Sequence, residues 1–339
     1  MPPTSALAAL DAAPRFELGH WPTPLTPCHR LREAVGGPLV WLKRDDCSGL
    51  ALGGNKTRKL EHLVGRALAD GCTGIVTFGA LQSNHARQTA AACAAAGLTC
   101  DLILTRSVAR ADEHYGGSGN LLLDRVLGAT VHLEDDDEAA GARWRALRDR
   151  AADDGRRLHL VGPGGSDPIG TLGYVRAALE LGTQLDGLGL DVDRIVVAAS
   201  TGGTAAGLLV GLALDDRDVE VDIACVYRPA DRTAEVVDDL AAATAAMLGG
   251  HDLGLGRRSV DDAALGDGYG IPSASGRDAI ELLARTEGVL LDPVYTGKAF
   301  AHLVRRITEG ALGGAGDVVF VHTGGAPGLF AYAPEWPPT

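Results

Sequence analysis

The chain of 339 residues has few aromatic residues and no excess of positive charge. Lys and Arg number 31 against 44 Asp and Glu, so the net charge is −13 at pH 7, and aromatic residues make up 4%. Proteins that bind nucleic acids need an excess of Lys and Arg on one face to contact phosphates. The charge therefore argues against a nucleic-acid partner. It leaves any anion site to be built locally, from backbone N–H groups and a few cations.

Long apolar runs are also missing. Asp, Arg or Gly interrupts each run before it reaches the roughly 20 residues of a transmembrane helix. Residues 1–17 lack the basic-then-apolar order of a signal peptide. We therefore expect a cytoplasmic protein with no membrane partner.

Cysteines are few and lie far apart, at positions 28, 47, 72, 93, 100 and 225. None forms a C-x-x-C pair, so we expect neither a metal site nor a disulfide framework. Cys72 and Cys93 lie in Ala-rich apolar stretches and are predicted to be buried.

Lysine is the scarcest of the charged residues. It occurs four times, at Lys43, Lys56, Lys59 and Lys298, and the other cations are Arg. Each lysine lies inside a motif-like segment, which favours a chemical role for at least one of them.

Short apolar runs alternate with Ala- and Leu-rich helical stretches, which predicts an α/β fold of parallel sheets covered by helices on both faces. The predicted strands are residues 38–43, 74–78, 100–104, 130–133, 158–161, 194–199, 219–227 and 317–322. The predicted helices are residues 56–70, 84–96, 119–127, 139–153, 171–184, 204–214, 233–248, 273–285 and 298–309. In the helix 56–70 the apolar face is predicted to hold Leu60, Leu63, Val64 and Ala67, with His62 exposed to solvent. Residues 108–115 and 251–268 are predicted to be loops.

Three Gly-rich turns stand where predicted strands and helices meet, the place where open parallel sheets bind ligands. They are Gly53-Gly54-Asn55-Lys56, Ser200-Thr201-Gly202-Gly203-Thr204 and His322-Thr323-Gly324-Gly325. The second precedes a helix whose free N–H groups suit a single phosphate. It is neither a Walker P-loop nor a spaced G-x-G-x-x-G. Each turn taken alone is equally consistent with an ordinary Gly-rich loop.

A polar cluster, residues 82–88, lies between an apolar strand and an Ala-rich helix. Asn84 in it is a candidate cap for the helix, a structural role. Ser83 and His85 are a nucleophile and a base by type, yet no G-x-S-x-G elbow surrounds them. A serine hydrolase is therefore a weak alternative.

Taken together, these segments resemble the D-cysteine desulfhydrase and 1-aminocyclopropane-1-carboxylate deaminase family, within the tryptophan-synthase-β-like (fold type II) pyridoxal-phosphate enzymes. The resemblance extends over nearly the whole chain, from Trp21 to Gly325. The matching segments are residues 21–25, 43–46, 53–61, 82–89, 118–120, 292–295 and 322–325.

The resemblance implies two α/β domains, each with a mainly parallel twisted sheet, and pyridoxal phosphate in the cleft between them. The larger domain would comprise residues 1–56 and 163–339, and the smaller inserted one residues 57–162. By similarity, Lys56 would hold the cofactor as a Schiff base and later move the α-proton. Asn84 would hold the ring 3-oxygen. Residues 201–204 would bind the phosphate, with Ser200 at the edge of that loop. A homodimer is also implied.

On the substrate side, the resemblance implies catalytic roles for Ser83, Tyr269 and Tyr295. Ser83 and Asn84 would bind the substrate carboxylate or assist proton transfer, and Tyr295 would act at the leaving group. The remaining implied site residues are Gln82, His85 and Thr296 for the substrate and Thr323 for the cofactor.

Two of these positions distinguish branches of the family. The deaminases are similar in sequence but have Tyr-Glu-Gly after Asp-Pro-Val and a leucine before the final Gly-Gly. This chain has Thr296 in place of the glutamate and Thr323 in place of the leucine. A carboxylate facing the pyridine nitrogen would keep it protonated, and a threonine does so less well. The weaker electron sink suits β-elimination better than opening of a cyclopropane.

The expected reaction is therefore the conversion of D-cysteine to pyruvate, ammonia and hydrogen sulfide. An L-cysteate sulfo-lyase, which releases sulfite, is the nearest alternative, and the cyclopropane deaminase is a further one. A catalytically silent cofactor-binding protein is the alternative from another class. A sulfonate would need extra donors, and His85, Thr296 and the Ser118 loop are the candidates for supplying them.

Overall fold

A computed structural model describes residues 3–250, 253–314 and 316–337 of the chain. Helices and strands alternate along most of it. The helices are α1 Pro3–Ala12, α2 His29–Val35, α3 Lys56–Ala69, α4 Asn84–Ala96, α5 Glu113–Gly117, α6 Gly119–Val126, α7 Asp137–Asp153, α8 Pro168–Leu188, α9 Gly203–Leu214, α10 Ala230–Met247, α11 Ala274–Glu287, α12 Thr296–Thr308 and α13 Pro327–Ala331. The strands are β1 Leu25–Pro27, β2 Val40–Arg44, β3 Gly74–Ala80, β4 Thr99–Thr105, β5 Thr130–Glu134, β6 Leu158–Val161, β7 Val192–Ala199, β8 Glu220–Cys225, β9 Arg258–Asp261 and β10 Asp317–His322.

The strands form two sheets. The larger has six strands in the order β1-β2-β10-β7-β8-β9, and the smaller has four in the order β5-β4-β3-β6. Only the β1–β2 pair is antiparallel; the other described pairs are parallel. The predicted α/β class with mainly parallel sheets is confirmed.

Helices cover both faces of each sheet. Successive strand residues point to opposite faces, so neighbouring residues of one strand pack against different helices. In β7, Ile195 belongs to a buried cluster with residues of α8, α9 and α10. Its neighbour Val196 belongs to a second cluster with residues of α2, α11 and α12. In β3, Ile75 packs with α3 and α4 residues, whereas Val76 packs toward α7. Parallel strands buried on both faces account for their nearly continuous apolar runs.

The prediction for His62 is wrong. The apolar face of α3 is buried as predicted, but His62 is buried too, with its Nδ1 atom 3.2 Å from the carbonyl oxygen of Pro14. Burial lowers the pKa of His62 to about 4. Helix α3 packs against both α4 and α8, so polar side chains outside its apolar face also lie inside the protein.

Several short elements were not predicted. The strand β9 lies within residues 258–261, part of a predicted loop, and α5 begins at Glu113 inside the other predicted loop. Residues 251 and 252 of the first loop lie outside the described residues. The division of the chain into two domains stays a prediction; the four strands of the smaller sheet all fall within residues 57–162.

Within the described residues, no helix is long and apolar enough to span a bilayer. The same residues contain no cluster of three or more His, Cys, Asp or Glu that could hold a metal ion. Cys72 and Cys93 are buried, as predicted.

Candidate active site

A cavity of about 660 Å³ lies where β3, β7 and β10 end. The carboxyl ends of parallel strands are where open α/β sheets bind ligands. Most of the residues proposed from the sequence line this cavity: Lys56, Ser83, Asn84, His85, Ser200, Thr201, Gly202, Gly203, Thr204, Tyr269, Tyr295 and Thr323. The structure thus brings together side chains that are up to 267 positions apart in the sequence.

Lys56 is the first residue of α3 and follows a turn that requires glycine. Gly54 has a φ of 128°, and a Cβ atom there would meet the side chain of Gln88 at 2.6 Å. A Cβ atom on Gly324 would meet the Cα atom of Gly54 at 2.7 Å. The backbone N–H of Asn55 donates to the carbonyl oxygen of Thr323 at 3.0 Å. Two of the Gly-rich turns are therefore in contact, and glycine permits that approach.

Burial lowers the pKa of Lys56 from 10.5 to about 8. An amine must be neutral to act as a nucleophile, and desolvation disfavours the charged form. A substantial share of Lys56 is therefore reactive near neutral pH, which a lysine in water is not.

The turn at residues 200–204 leads into α9. Gly202 has a φ of 84° and precedes Gly203, the first residue of the helix. The free N–H groups at a helix N-terminus and the hydroxyls of the turn suit a phosphate. Two side chains fix these hydroxyls: the Nδ2 atom of Asn55 donates to the Oγ1 atom of Thr204 at 3.0 Å, and Ser166 Oγ lies 2.6 Å from Thr201 Oγ1.

Lys59 is a part of the site that the sequence reasoning missed. It is 1% exposed, and its Nζ atom donates to Ser166 Oγ at 2.9 Å. A Cβ atom on Gly203 would meet this Nζ atom at 2.7 Å, so Lys59 lies directly behind the phosphate-type turn. Burial, followed by repulsion from Lys56, lowers its pKa well below the usual value. A bound anion would offset that repulsion, so the turn at residues 200–204 fits a phosphate.

The start of α4 supplies two more groups to the cavity. Ser83, rather than Asn84, caps the helix, because its Oγ atom accepts from the N–H of Ala86 at 3.1 Å. The capping role considered for Asn84 is therefore wrong. The Oδ1 atom of Asn84 accepts from Asn120 at 2.9 Å, so its amide nitrogen is the atom left for a ligand.

The tautomer of His85 is fixed by its neighbours. Thr77 Oγ1 lies 2.8 Å from the carbonyl oxygen of Val161 and donates its only hydrogen there. It must therefore accept from the Nε2 atom of His85, which lies 2.9 Å away. Burial, then the charges of Lys56 and Lys59, lower the pKa of His85 well below 6.5, so the ring is neutral.

The Nδ1 atom of His85 is consequently a hydrogen-bond acceptor. It is buried and has no partner among the described residues. Ser83 and His85 are bonded to other groups, Ala86 and Thr77. This arrangement gives no support to a serine-hydrolase pair.

Two tyrosines stand on the other side of the cavity. The hydroxyls of Tyr269 and Tyr295 are 2.5 Å apart. The backbone N–H of Tyr295 donates to Asp292 at 2.9 Å, which fixes its position at the start of α12. Burial raises the pKa of both hydroxyls, so both stay protonated. Tyr227 and Arg228 also line this side and were not predicted.

Two predicted substrate residues do not line the cavity. Gln82 donates through Nε2 to the carbonyl oxygens of Tyr115 and Ser118 at 2.6 and 3.0 Å. The hydroxyl of Thr296 donates to a carboxylate oxygen of Asp292 at 2.7 Å. Both side chains are buried in hydrogen-bond networks next to the site. Each is adjacent in the sequence to a residue that lines the cavity, so the sequence alone could not distinguish it from a lining residue.

A family model for pyridoxal-phosphate-dependent enzymes matches residues 16–324 of the chain. The chain belongs to this family, and the predicted family and cofactor are confirmed.

Curated relatives include D-cysteine desulfhydrases of Salmonella newport and Salmonella typhi. Each is 40% identical over 329 residues, covering 96% of this chain and 98% of the relative. Among solved structures, one of an ACC deaminase homologue is 35% identical with a TM-score of 0.86, covering 98% of both chains. A pyridoxal-phosphate-dependent aspartate racemase, 17% identical with a TM-score of 0.65 over 96% of this chain and 95% of its own, shares the fold.

Proposed function

We propose that this enzyme eliminates hydrogen sulfide from D-cysteine and releases pyruvate and ammonia, with consumption of one water. The observation that carries the proposal is that Lys56, with its lowered pKa, lies in one cavity with the turn at residues 200–204 and with Tyr269 and Tyr295. The full-length similarity to D-cysteine desulfhydrases supports the choice of substrate.

In this proposal Lys56 would hold the cofactor covalently, and Asn84 would donate to its ring oxygen. Residues 200–204 would bind its phosphate with Lys59 behind them, and Thr323 would contact its ring. Bound pyridoxal phosphate supplies the electron sink that makes the substrate α-proton acidic.

The side chains then have separate tasks. The substrate carboxylate binds at the N-terminus of α4, where free N–H groups and Ser83 are available. Once the substrate's own amino group has displaced Lys56 from the cofactor, the freed neutral amine of Lys56 would remove the α-proton. The C–S bond breaks with its electron pair on sulfur, and Tyr295 donates the proton that the departing sulfur takes up. The hydrogen bond between Tyr269 and Tyr295 orients that donor.

Hydrogen bonds around the site favour a thiol over a sulfonate. A sulfonate would need donors beside the β-carbon, and three were considered. The Nε2–H of His85 donates to the hydroxyl of Thr77, and the hydroxyl of Thr296 donates to Asp292. The hydroxyl of Ser118 donates to the carbonyl oxygen of His114 at 2.7 Å. The unused Nδ1 atom of His85 is an acceptor, which suits an S–H group and repels a sulfonate oxygen.

The structure sharpens the argument against cyclopropane opening. Two threonines distinguish this chain from the cyclopropane deaminases. Thr323 lines the cavity, and Thr296 does not. The proposed weaker electron sink therefore rests on Thr323 alone, which would face the pyridine nitrogen in place of a carboxylate.

A product screen of the holoenzyme tests the proposal. Pyruvate release would be measured with D-cysteine, L-cysteine, L-cysteate, β-chloro-D-alanine and D-serine, and 2-oxobutanoate release with the cyclopropane amino acid. We expect the highest kcat/KM among natural substrates with D-cysteine, and none in Lys56→Ala. Sulfite release from L-cysteate, or 2-oxobutanoate formation, at a comparable rate would contradict it. A fully loaded protein with no turnover would instead indicate a cofactor-binding protein without activity.

We propose two further properties from the family resemblance. The first is a cytoplasmic homodimer. Sedimentation velocity tests the dimer, and fractionation of the producing cells tests the location. The second is the division into residues 57–162 and the remainder, with the cofactor in the cleft between them. The separate four-stranded sheet, Gly74 to Val161, supports this division.

A further inference from the structure

We infer that Asn120, which does not line the cavity, is a positioning residue that fixes which end of the Asn84 amide faces the cofactor. The inference rests on the proposed role of Asn84 in the cofactor site and is independent of the substrate. It also explains the Ser118-Gly119-Asn120 segment, to which the proposed reaction assigns no task.

The chain of hydrogen bonds begins at backbone groups. The side-chain amide of Gln82 lies 2.6 Å from the carbonyl oxygen of Tyr115 and 3.0 Å from that of Ser118. A carbonyl oxygen only accepts, so the atom facing both must be the nitrogen Nε2. The Oε1 atom of Gln82 then faces the backbone N–H of Asn120, which donates to it at 2.9 Å.

The same logic fixes Asn120. Its side-chain amide lies 3.0 Å from the backbone carbonyl oxygen of Gln82, so that atom must be the nitrogen Nδ2. Nδ2 carries a second hydrogen, and its other neighbour is the side-chain oxygen of Asn84, at 2.9 Å. Only the oxygen Oδ1 of Asn84 can accept there.

The orientation of Asn84 therefore follows from backbone carbonyl groups, in two steps. This removes the ambiguity between oxygen and nitrogen that otherwise attends an amide side chain. The atom of Asn84 left for the cavity is Nδ2, a donor. A donor stabilises an ionised ring oxygen, whereas a flipped amide would present Oδ1 and repel it.

The surrounding turn is built to hold this arrangement. Asn120 is fully buried and Gln82 is 8% exposed. Gly119 has a φ of 60°, and a Cβ atom there would meet Oε1 of Gln82 at 2.6 Å. Both hydrogens of Asn120 Nδ2 are donated, one to the carbonyl oxygen of Gln82 and one to Asn84 Oδ1, so we expect a single orientation of the Asn84 amide.

The test compares Asn120→Asp with the wild type. A carboxylate cannot donate to Asn84, so Asn84 would turn its nitrogen toward it and its oxygen toward the cofactor. We expect the Kd of pyridoxal phosphate, titrated by its visible absorbance on apo-protein, to rise about tenfold or more, the effect of losing one charge-assisted hydrogen bond. The visible band of the loaded protein should also shift. Asn120→Ala, which leaves Asn84 free to rotate, should raise the Kd less.

A double-mutant cycle separates positioning from general destabilisation. If Asn120 acts through Asn84, then Asn120→Asp should change the Kd less than about twofold in an Asn84→Ala background. The matched control is Ser118→Ala, which removes a hydroxyl of the same turn that is bonded to His114 and should leave the Kd unchanged. Circular dichroism of each apo-protein confirms folding, and Asn120→Ala replaces Asn120→Asp in the cycle if the latter does not fold.

The outcomes are distinct. An equal rise in Kd in both backgrounds, or none in either, would overturn the inference. An Asn84→Ala variant with unchanged Kd and unchanged band would overturn the role of Asn84 itself, and the inference with it. Turnover of D-cysteine is measured separately, so failure of the proposed reaction would be recognised independently.

Discussion

The pKa of Lys56 should control how fast the apo-protein takes up pyridoxal phosphate. Burial lowers that pKa from 10.5 to about 8. At pH 7 about 10% of Lys56 is then neutral, against about 0.03% for an ordinary lysine. Only the neutral amine attacks an aldehyde. The second-order rate constant of uptake should therefore rise about tenfold between pH 7 and pH 9 and level off above that range.

Stopped-flow absorbance measures this rate on apo-protein from pH 6 to pH 10. Pyridoxal without the phosphate serves as a parallel probe, because the phosphate itself titrates near pH 6. Lys56→Arg is the control, since it keeps a cation and lacks the reactive amine, and it should give no visible band. A midpoint near 10.5 with both probes would refute the argument that the cavity desolvates Lys56.

The same burial has a consequence for stability. Below pH 8 Lys56 is charged in the folded and the unfolded chain, and the folded apo-protein bears the desolvation cost. That cost disappears as the pH rises from about 8 to 10.5, so the unfolding free energy increases over this window. Apo Lys56→Met should therefore be more stable than the wild type at pH 7, by up to about 3 kcal/mol. Urea denaturation checks this, and a destabilised variant would contradict it.

Four other substitutions test three separate parts of the structure. Arg58→Met leaves the buried carboxylate of Asp45 without its bidentate partner and should lower the unfolding free energy by about 3–5 kcal/mol in urea denaturation; an unchanged midpoint would contradict this. Tyr295→Phe should lower kcat for D-cysteine by about 100-fold with the visible band retained, and Tyr269→Phe should have a smaller effect; wild-type turnover in both would exclude them as proton donor and orienting group. Gly119→Ala forces a side chain into a φ of 60°, at about 1–2 kcal/mol, and should lower the Tm and weaken cofactor binding; an unaltered Tm would argue against a strained turn.

Periodicity predicted the elements with a clear apolar pattern. Helix α4 and the strands β6 and β10 have the predicted bounds, because each is an apolar or Ala-rich run closed by polar or Gly residues. The strand β1 was not predicted, since three residues at a sheet edge carry no period.

The composition of the site was predictable, but its inner support was not. Lys56 and the Gly-rich turns stand out in the sequence, and their positions at strand ends place them together. Gln82 and Thr296 are as polar as their neighbours, yet their side chains are used by buried backbone and carboxylate groups. Lys59 is the reverse case: only the contact of α3 with the turn before α9 shows that it belongs to the site. Partners distant in the sequence decided the cases of Gln82 and Lys59, whereas the partner of Thr296 is Asp292, four residues before it.

The position of β10 has a consequence for biosynthesis. This last strand lies inside the larger sheet, between β2 and β7, so the ribosome delivers both neighbours long before the strand that joins them. The smaller sheet, formed by residues 74–161 in one stretch, can assemble much earlier. Gly324, which contacts the turn before Lys56, lies two residues after the end of β10. We therefore expect a nascent chain to gain its cofactor only after β10 has been synthesised, and a stop codon before β10 to disrupt the cofactor site.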